Sequence, residues 1–304
     1  MAHASGGSAR GYVMVTAAYA VMACIGAVVT WAPGPAVSLL FLRMAVAAAV
    51  LAPAFARRTT LREIGGTGVW KRVVLMAVLD SSALLLFFVS TRLTSVAVAM
   101  FLIFLAPLWV AVLAPRLMRQ KTDRAVWPAM ALAMGGLALI VVPPALGHEL
   151  DVSVAGLVAG FASSLFLAGF MMTVSALREH GLRSVTIVLS ECALDAVLLL
   201  PLFAWLTWGS GEGPTGRDLV AGLFLGTVCT AFTYVLWTEG VGLVPVQHVP
   251  ILGYVEPMLA PVYAYVLLGE VPARWTVAGG ALIVAAGALV VVKGGRSGAV
   301  STQV

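Results

Sequence analysis

Ten apolar runs, separated by short polar segments, dominate this chain of 304 residues. Most have the roughly 20 residues that an α-helix needs to cross the hydrocarbon core of a membrane. Because lipid offers no partner for an unpaired backbone group, only helices or closed barrels can span it, and runs of this length favour helices. The predicted spans, one to ten, lie near residues 12–31, 36–56, 71–90, 94–115, 125–143, 153–176, 184–207, 218–238, 244–268 and 274–292.

The composition excludes an ordinary soluble protein. Hydrophobic residues make up 61% of the chain, charged residues 10%, and the mean hydropathy is +1.04, whereas soluble domains are about 25% charged. The sequence therefore predicts an all-α integral membrane protein, with the lipid bilayer as its solvent.

The basic residues indicate how the spans are oriented. Of the 18 Lys and Arg residues, 14 fall in the segments that share a side with the N-terminus. Such segments face the cytoplasm in most membrane proteins, so both termini are predicted to be cytoplasmic. This topology accounts for the pI near 9.4 without a nucleic-acid partner. The many Arg, Ala, Val and Gly residues suggest a bacterium, and hence its cytoplasmic (inner) membrane.

The fourth and ninth apolar runs resemble each other. Residues 94–115 align without gaps on residues 244–265, which places Pro107 on Pro257 and Ile103 on Gly253, and Trp127 echoes Trp275 further on. Chance similarity between two Ala/Val-rich segments is the alternative. Two halves of five spans would be inverted relative to each other, because five is odd. The predicted parts are a cytoplasmic tail (1–11), two five-helix repeats (12–143 and 153–292) and a second tail (293–304).

The ninth run also carries a carboxylate, Glu256, close to its middle. Proline removes a backbone donor, so Pro257 frees the carbonyl of Gly253. Broken helices in matching positions of two halves point to a transporter site, and a carboxylate at that depth is functional by default. Glu256 could load and release a proton as access alternates, or it could cap the freed carbonyls. Pro107 and Pro257 are candidate gating positions.

Three further regions place charge inside predicted spans. Asp80 lies near the centre of span three as a proton or substrate site, or as a structural hydrogen-bonding group. Glu191 and Asp195 share one helix face and could bind a cation or a proton, although Glu191 is interpreted as hydrated or paired near a span end. Arg43 could clamp a substrate carboxylate or form an ion pair with one of these acids.

Other polar and aromatic residues are weaker candidates. His248 lies near the start of span nine and would suit a gate, or it is solvated there. The aromatic side chains could line a cavity or pack in the core, and the serines of span six could bind substrate or their own backbone carbonyls. These residues are Phe104, Trp109, Tyr234, Tyr254 and Tyr263, with Ser163 and Ser164.

Signatures of catalysis and of resident cofactors are missing from the sequence. It contains neither a phosphate-binding Gly-rich loop nor a nucleophile elbow. The three cysteines lie within apolar runs, which predicts neither a disulfide framework nor a zinc cluster. We expect no enzyme activity, no catalytic residues, no metal and no cofactor.

The quoted residues resemble the ten-helix EamA-type transporters of the drug/metabolite transporter superfamily. The carrying residues are Glu256-Pro257 with Leu267-Leu268-Gly269-Glu270, together with Leu42-Arg43 and Ala106-Pro107. The resemblance implies a secondary transporter with a central cavity lined by spans one, three, four, six, eight and nine. It suggests Asp80, Trp109, Ser163, Tyr234, Tyr254 and Glu256 as lining residues. The acidic residue expected at the end of span four is missing, and span one lacks the glutamate of the four-helix members.

These observations predict a secondary active transporter that exports small amphipathic metabolites such as amino acids by alternating access. Protons are the candidate coupling ion, through Glu256 and Asp80. Substrate binding is assigned to Arg43, Asp80, Phe104, Trp109, Ser163, Tyr234 and Tyr254. The alternatives are a gradient-independent exchanger of organic anions, such as sugar phosphates or nucleotide sugars, and a membrane-embedded enzyme. Small residues at four-residue spacing in spans five and ten (Ala131–Gly135, Ala281–Ala285) favour close packing within one chain over a dimer seam.

Overall fold

The structure, a computed structural model, describes residues 8–55, 68–94, 96–118, 124–145, 153–209, 211, 213–269 and 274–300. Within these residues the regular elements are helices, and no strand occurs among them. Seven helical segments are long and apolar enough to cross a membrane, and three shorter apolar helices bring the number of spans to ten. The predicted all-α architecture with ten spans is confirmed.

The spans keep the predicted order. Their helices are Ala9–Met22 and Ile25–Trp31 (one), Ala36–Phe55 (two), Val69–Leu93 (three), Val96–Ile103 and Ala106–Leu117 (four), Val126–Ala145 (five), Val154–Glu179 (six), Ser184–Ala204 with the π-helical end Trp205–Gly209 (seven), Gly216–Phe224, the π-helical Leu225–Phe232 and Thr233–Val241 (eight), Val249–Leu252 and Val255–Leu268 (nine), and Arg274–Val300 (ten).

Two span ends differ from the prediction for local reasons. Span one starts earlier, at Ala9, because the Ser8 side chain accepts a hydrogen bond from the Gly11 amide and caps the helix there. Span ten continues past the predicted boundary at residue 292 to Val300. The second predicted tail therefore begins as helix rather than as an irregular segment.

The helices pack with a two-fold pattern. Span three packs along span six, and span eight packs along span one. Span two packs against span seven, and span five packs against span ten. The same set of contacts results when each span is replaced by its equivalent in the other half. This is the arrangement expected of two structurally equivalent five-helix repeats.

One pair of backbone hydrogen bonds shows that the two repeats are inverted. The amide of Ser8, at the start of span one, donates to the carbonyl of Leu243 at 3.0 Å. The amide of Ser153, at the start of span six, donates to the carbonyl of Leu93 at 3.1 Å. The two bonds join equivalent spans but lie at opposite ends of the bundle, which we name the terminal end (with Ser8) and the distal end (with Ser153).

Spans five and ten approach each other closely at two glycines. A Cβ atom added to Gly279 would overlap the carbonyl oxygen of Gly136, and a Cβ added to Gly136 would overlap that of Gly279. The small residues of these spans thus serve packing within the chain, at positions adjacent to the predicted spacing.

Candidate functional site

The site lies where spans four and nine are interrupted. In span four the helix ends at Ile103 and resumes at Ala106, and in span nine it ends at Leu252 and resumes at Val255. A proline follows each interruption within the first turn of the second helix, where its missing amide is tolerated. The carbonyl of Gly253, which Pro257 would leave without a partner, accepts the amide of Glu256 at 3.0 Å.

The two interruptions bind each other directly. The hydroxyl of Tyr254 donates to the backbone carbonyl of Phe104 at 2.7 Å, and the ring centroids of these residues are 5.4 Å apart. Tyr254 and Phe104 are equivalent in the alignment of the two halves. Each repeat therefore contributes the same position to the junction, and one side chain satisfies a carbonyl that the other break exposes.

A cavity of about 680 Å³ opens beside this junction. This volume is typical of small-molecule sites, which span about 300–1,000 Å³. Its wall comes from spans one, three, four, six, eight and nine, as the resemblance implied, and also from span two. Val29, Thr30 and Arg92 lie on the wall and are exposed, so the cavity reaches the surface at the distal end.

Two buried charged side chains and one half-buried carboxylate lie at the inner end of the cavity. Arg43, Asp80 and Glu256 line the wall there, together with Tyr234. The Arg43 guanidinium donates from Nε to the Thr230 hydroxyl at 2.7 Å and from Nη2 to the Tyr234 hydroxyl, and it lies 5.2 Å from the centroid of the Tyr234 ring. At this end of the cavity, Arg43 thus faces two carboxylates, and most of the other described lining residues are apolar.

Aromatic side chains close the cavity towards the terminal end. Trp237 stacks on Phe170 with ring centroids 6.0 Å apart and meets Tyr19 edge-on at 6.3 Å, and these three residues line the cavity floor. The floor separates the cavity from the terminal end of the bundle.

Beneath the floor, polar contacts hold the terminal end shut. The Tyr12 hydroxyl lies 2.7 Å from His248 Nδ1, and Arg178 forms an ion pair of 2.9 Å with Glu239. We call these two contacts the terminal latch. His248 is buried in this position, not solvated at the start of span nine.

Some of the predicted site residues line the cavity, and the others lie elsewhere in the bundle. Those on the cavity wall are Arg43, Asp80, Phe104, Pro107, Tyr234, Glu256 and Pro257. Tyr254 lies behind the wall at the junction. Trp109 donates to the Ser164 hydroxyl at 2.9 Å and packs on Phe161, while the Ser163 hydroxyl donates to the carbonyl of Gly160.

Sequence reasoning missed the cavity floor and misplaced one acid. Tyr19, Phe170 and Trp237 lie within apolar runs, where nothing in the local sequence distinguishes a floor from core packing. Glu191 is 1% exposed, so of the two interpretations given for it, hydrated or paired, the hydrated one is wrong. Span seven packs against spans two and three, which turns its acidic face towards the interior.

Comparisons with known proteins agree with this architecture. The model of the EamA-like transporter family matches residues 9–142 and again residues 154–292. An uncharacterized transporter of Archaeoglobus fulgidus is 29% identical over 253 residues, covering 83% of this chain and 85% of that protein. The uncharacterized transporter YwfM of Bacillus subtilis is 25% identical over 215 residues, covering 68% and 69%.

Two further matches bear on substrate naming and on the fold. A protein of Streptantibioticus cattleyicolor, named a probable terminal-alkyne amino-acid exporter, is 29% identical over 187 residues, covering 62% of this chain and 61% of that protein. A crystal structure with 18% identity superimposes with a TM-score of 0.79 and covers 94% of this chain and 98% of the other, which shows a shared fold. With the family model matching both halves, the chain belongs to the EamA-like transporter family.

Proposed function

We propose that this protein is a secondary active transporter that exports small amphipathic metabolites, with amino acids as the substrate class, by alternating access. The observation that carries the proposal is the charge arrangement at the inner end of the cavity. Arg43 provides a fork of donors for a carboxylate, and Asp80 and Glu256 provide acceptors for an ammonium group. The apolar remainder of the cavity suits an aliphatic or aromatic side chain.

The relative that is named a probable terminal-alkyne amino-acid exporter supports the same substrate class. Sugar phosphates and nucleotide sugars fit less well, because two carboxylates share the inner wall with Arg43 and would repel an anion. With the termini in the cytoplasm of a bacterial inner membrane, as the basic residues predict, the cavity of this structure faces outward. The terminal latch and the aromatic floor would then form the cytoplasmic gate.

The inverted repeats support the proposed alternating access. The terminal and distal ends are built from equivalent spans. Exchanging the conformations of the two repeats therefore converts a state that is open at one end into a state that is open at the other end. Proton coupling through Glu256 and Asp80 is part of the proposal, since both carboxylates line the wall where the substrate would bind.

Uptake and counterflow in proteoliposomes test the function. Purified protein is given a panel of labelled amino acids with and without an inward-acidic pH gradient. We expect saturable flux that the gradient drives against concentration, with affinity reduced roughly tenfold or more in Arg43→Lys, which keeps the charge but loses the bidentate fork. Glu179→Gln, an exposed carboxylate at the end of span six, is the control.

Each other outcome has a defined meaning. Flux that ignores the gradient, in the wild type and in Glu256→Gln alike, would remove proton coupling and leave a facilitator. Flux of organic anions without flux of amino acids would overturn the proposed substrate class.

A further inference from the structure

Three carboxylates from two spans meet beside the inner end of the cavity. Asp80 belongs to span three, and Glu191 and Asp195 lie one turn apart on span seven. One oxygen from each lies within 4.8 Å of the others, and the three residues are 6%, 1% and 1% exposed. We name this group the carboxylate cluster.

The carboxylate cluster lacks the partners that three buried anions require. The Ser81 hydroxyl donates to Asp195 Oδ1 at 2.8 Å. Within the described part of the chain, one oxygen of each carboxylate has no hydrogen-bond partner: Asp80 Oδ2, Glu191 Oε1 and Asp195 Oδ2. A buried carboxylate oxygen without a donor is costly enough that the group takes up a proton or binds a cation instead.

Among the described residues, one cation lies near the carboxylate cluster, and it forms hydrogen bonds with other groups. Arg43 interacts electrostatically with all three carboxylates, but two of its nitrogens donate to Thr230 and Tyr234. Arg43 offers one positive charge to these three carboxylates and also acts on Glu256, so at least two negative charges of the carboxylate cluster remain to be neutralised inside a membrane protein, where unpaired ions are strongly disfavoured. The described residues supply no further cation there, so a bound proton or cation must neutralise these charges.

Protons fit this requirement better than a metal ion. Hard cations such as Mg²⁺ and Ca²⁺ take six or more oxygen ligands, and here they would lie beside the Arg43 guanidinium, whose positive charge acts on all three carboxylates and would repel them. Neighbouring carboxyl groups, by contrast, share protons readily, because two like charges at short range are not both retained.

We propose that Asp80, Glu191 and Asp195 form a proton-binding site, which holds at least two protons before substrate binds and exchanges them with the cavity through Asp80. This inference rests on the proposed function and names the site of its coupling ion. Asp80 lines the cavity, so a substrate ammonium group and a proton compete for the same carboxylate. Binding of substrate releases a proton, which is the linkage that an exporter driven by inward proton flow needs.

Other titratable groups around the carboxylate cluster define the controls. Arg43 faces it from span two, Cys192 adjoins Glu191 on span seven, and Tyr234 faces it from span eight. None of these three is a carboxylic acid, so a signal from protonated carboxyl groups separates the cluster from them. Glu256, the other carboxylic acid on the cavity wall, is separated by comparing variants of span seven with the wild type.

The first test needs no substrate. Infrared difference spectra of the purified protein, between acidic and alkaline pH and in H2O and D2O, report protonated carboxylic acids. We expect a pH-dependent band that loses part of its intensity in Glu191→Gln and again in Asp195→Asn, while Glu179→Gln keeps the wild-type band. These isosteric changes add no charge to the interior, so we expect the variants to fold.

Two results of this first test would overturn the proposal. One is a band unchanged in both cluster variants. The other is a band shift, or a rise in thermal stability, that Na⁺, Ca²⁺ or Mn²⁺ produces in the wild type and not in Asp195→Asn, which would show a metal site instead.

The second test measures proton release in weakly buffered detergent solution on addition of an amino acid that the flux assay identifies. We expect release by the wild type, none by Asp80→Asn, and a fall in apparent affinity of up to about tenfold per unit of falling pH for one displaced proton. Binding without release would overturn the competition at Asp80. If no amino acid binds, the proposed substrate class fails, and the infrared test still decides on the carboxylate cluster.

Discussion

Replacing Tyr254 by Phe removes one hydroxyl from the junction of the two broken helices. Tyr254 is fully buried, and its hydroxyl donates to the Phe104 carbonyl at 2.7 Å. In an uninterrupted helix that carbonyl would accept the Leu108 amide, but this amide donates to Leu105 instead, at 2.9 Å. The variant therefore leaves a carbonyl at the helix break without its donor.

The size of the effect follows from burial. Side-chain hydrogen bonds within membrane proteins average about 0.6 kcal/mol and reach about 1.7 kcal/mol, and an orphaned buried acceptor costs about 1–3 kcal/mol. Because the site is fully buried, we expect the free energy of unfolding to fall by about 1–2 kcal/mol. The ring contact between Tyr254 and Phe104 remains, so the loss reports the hydroxyl alone.

Unfolding in mixed micelles with increasing SDS measures this difference. Tyr263→Phe makes the same chemical change at a half-buried tyrosine of span nine whose hydroxyl has no hydrogen bond to another described residue. We expect that control to stay within about 0.5 kcal/mol of wild type. Equal stability of the two variants would refute the claim that Tyr254 joins the two helix breaks.

Three further predictions concern packing, thiol chemistry and gating. Gly279→Ala should lower the free energy of unfolding by about 1–3 kcal/mol through overpacking. Gly287→Ala is the control in the same span, because an added Cβ there meets open space, and it should leave the free energy of unfolding unchanged. The same SDS titration measures both variants. Cys24 and Cys229 have sulfur atoms 3.5 Å apart, so mild oxidation or HgCl2 should link spans one and eight and stop flux. Cys24→Ser should resist both reagents. Peptide mass spectrometry would detect the link, and transport assays would measure the flux. Glu239→Gln should shift the population towards opening of the terminal end by about two- to fivefold, the value of a partly exposed ion pair, which spin-label distances across that end would measure.

The sequence predicts the architecture well because membrane spans depend on local properties. Length and hydropathy of each run determine a helix, and the gap-free alignment places Phe104 opposite Tyr254, two residues that turn out to be in contact. The prolines also locate both helix breaks to within a few residues. Run length, hydropathy, internal similarity and proline positions can all be read directly from the sequence.

The rest depends on which face of each helix meets which neighbour. Trp109 lies deep within span four, but depth does not reveal that its indole points to Ser164 instead of the cavity. Glu191 was misjudged for the same reason, because its distance from the end of a span suggests water while the packing of span seven encloses it. Helix rotation is set by tertiary contacts, and no periodicity of this Ala/Val-rich sequence determines it.

The terminal latch makes the two ends of the transporter chemically unequal. Positions equivalent to His248 and Glu239 at the distal end are the apolar Val98 and Val89, so opening the terminal end breaks polar contacts that opening the distal end does not. The two repeats are therefore related by symmetry in their backbone but not in their side-chain contacts. In the proposed alternating-access cycle, opening the terminal end carries an energetic cost that opening the distal end does not, and we expect substrate binding to lower that cost.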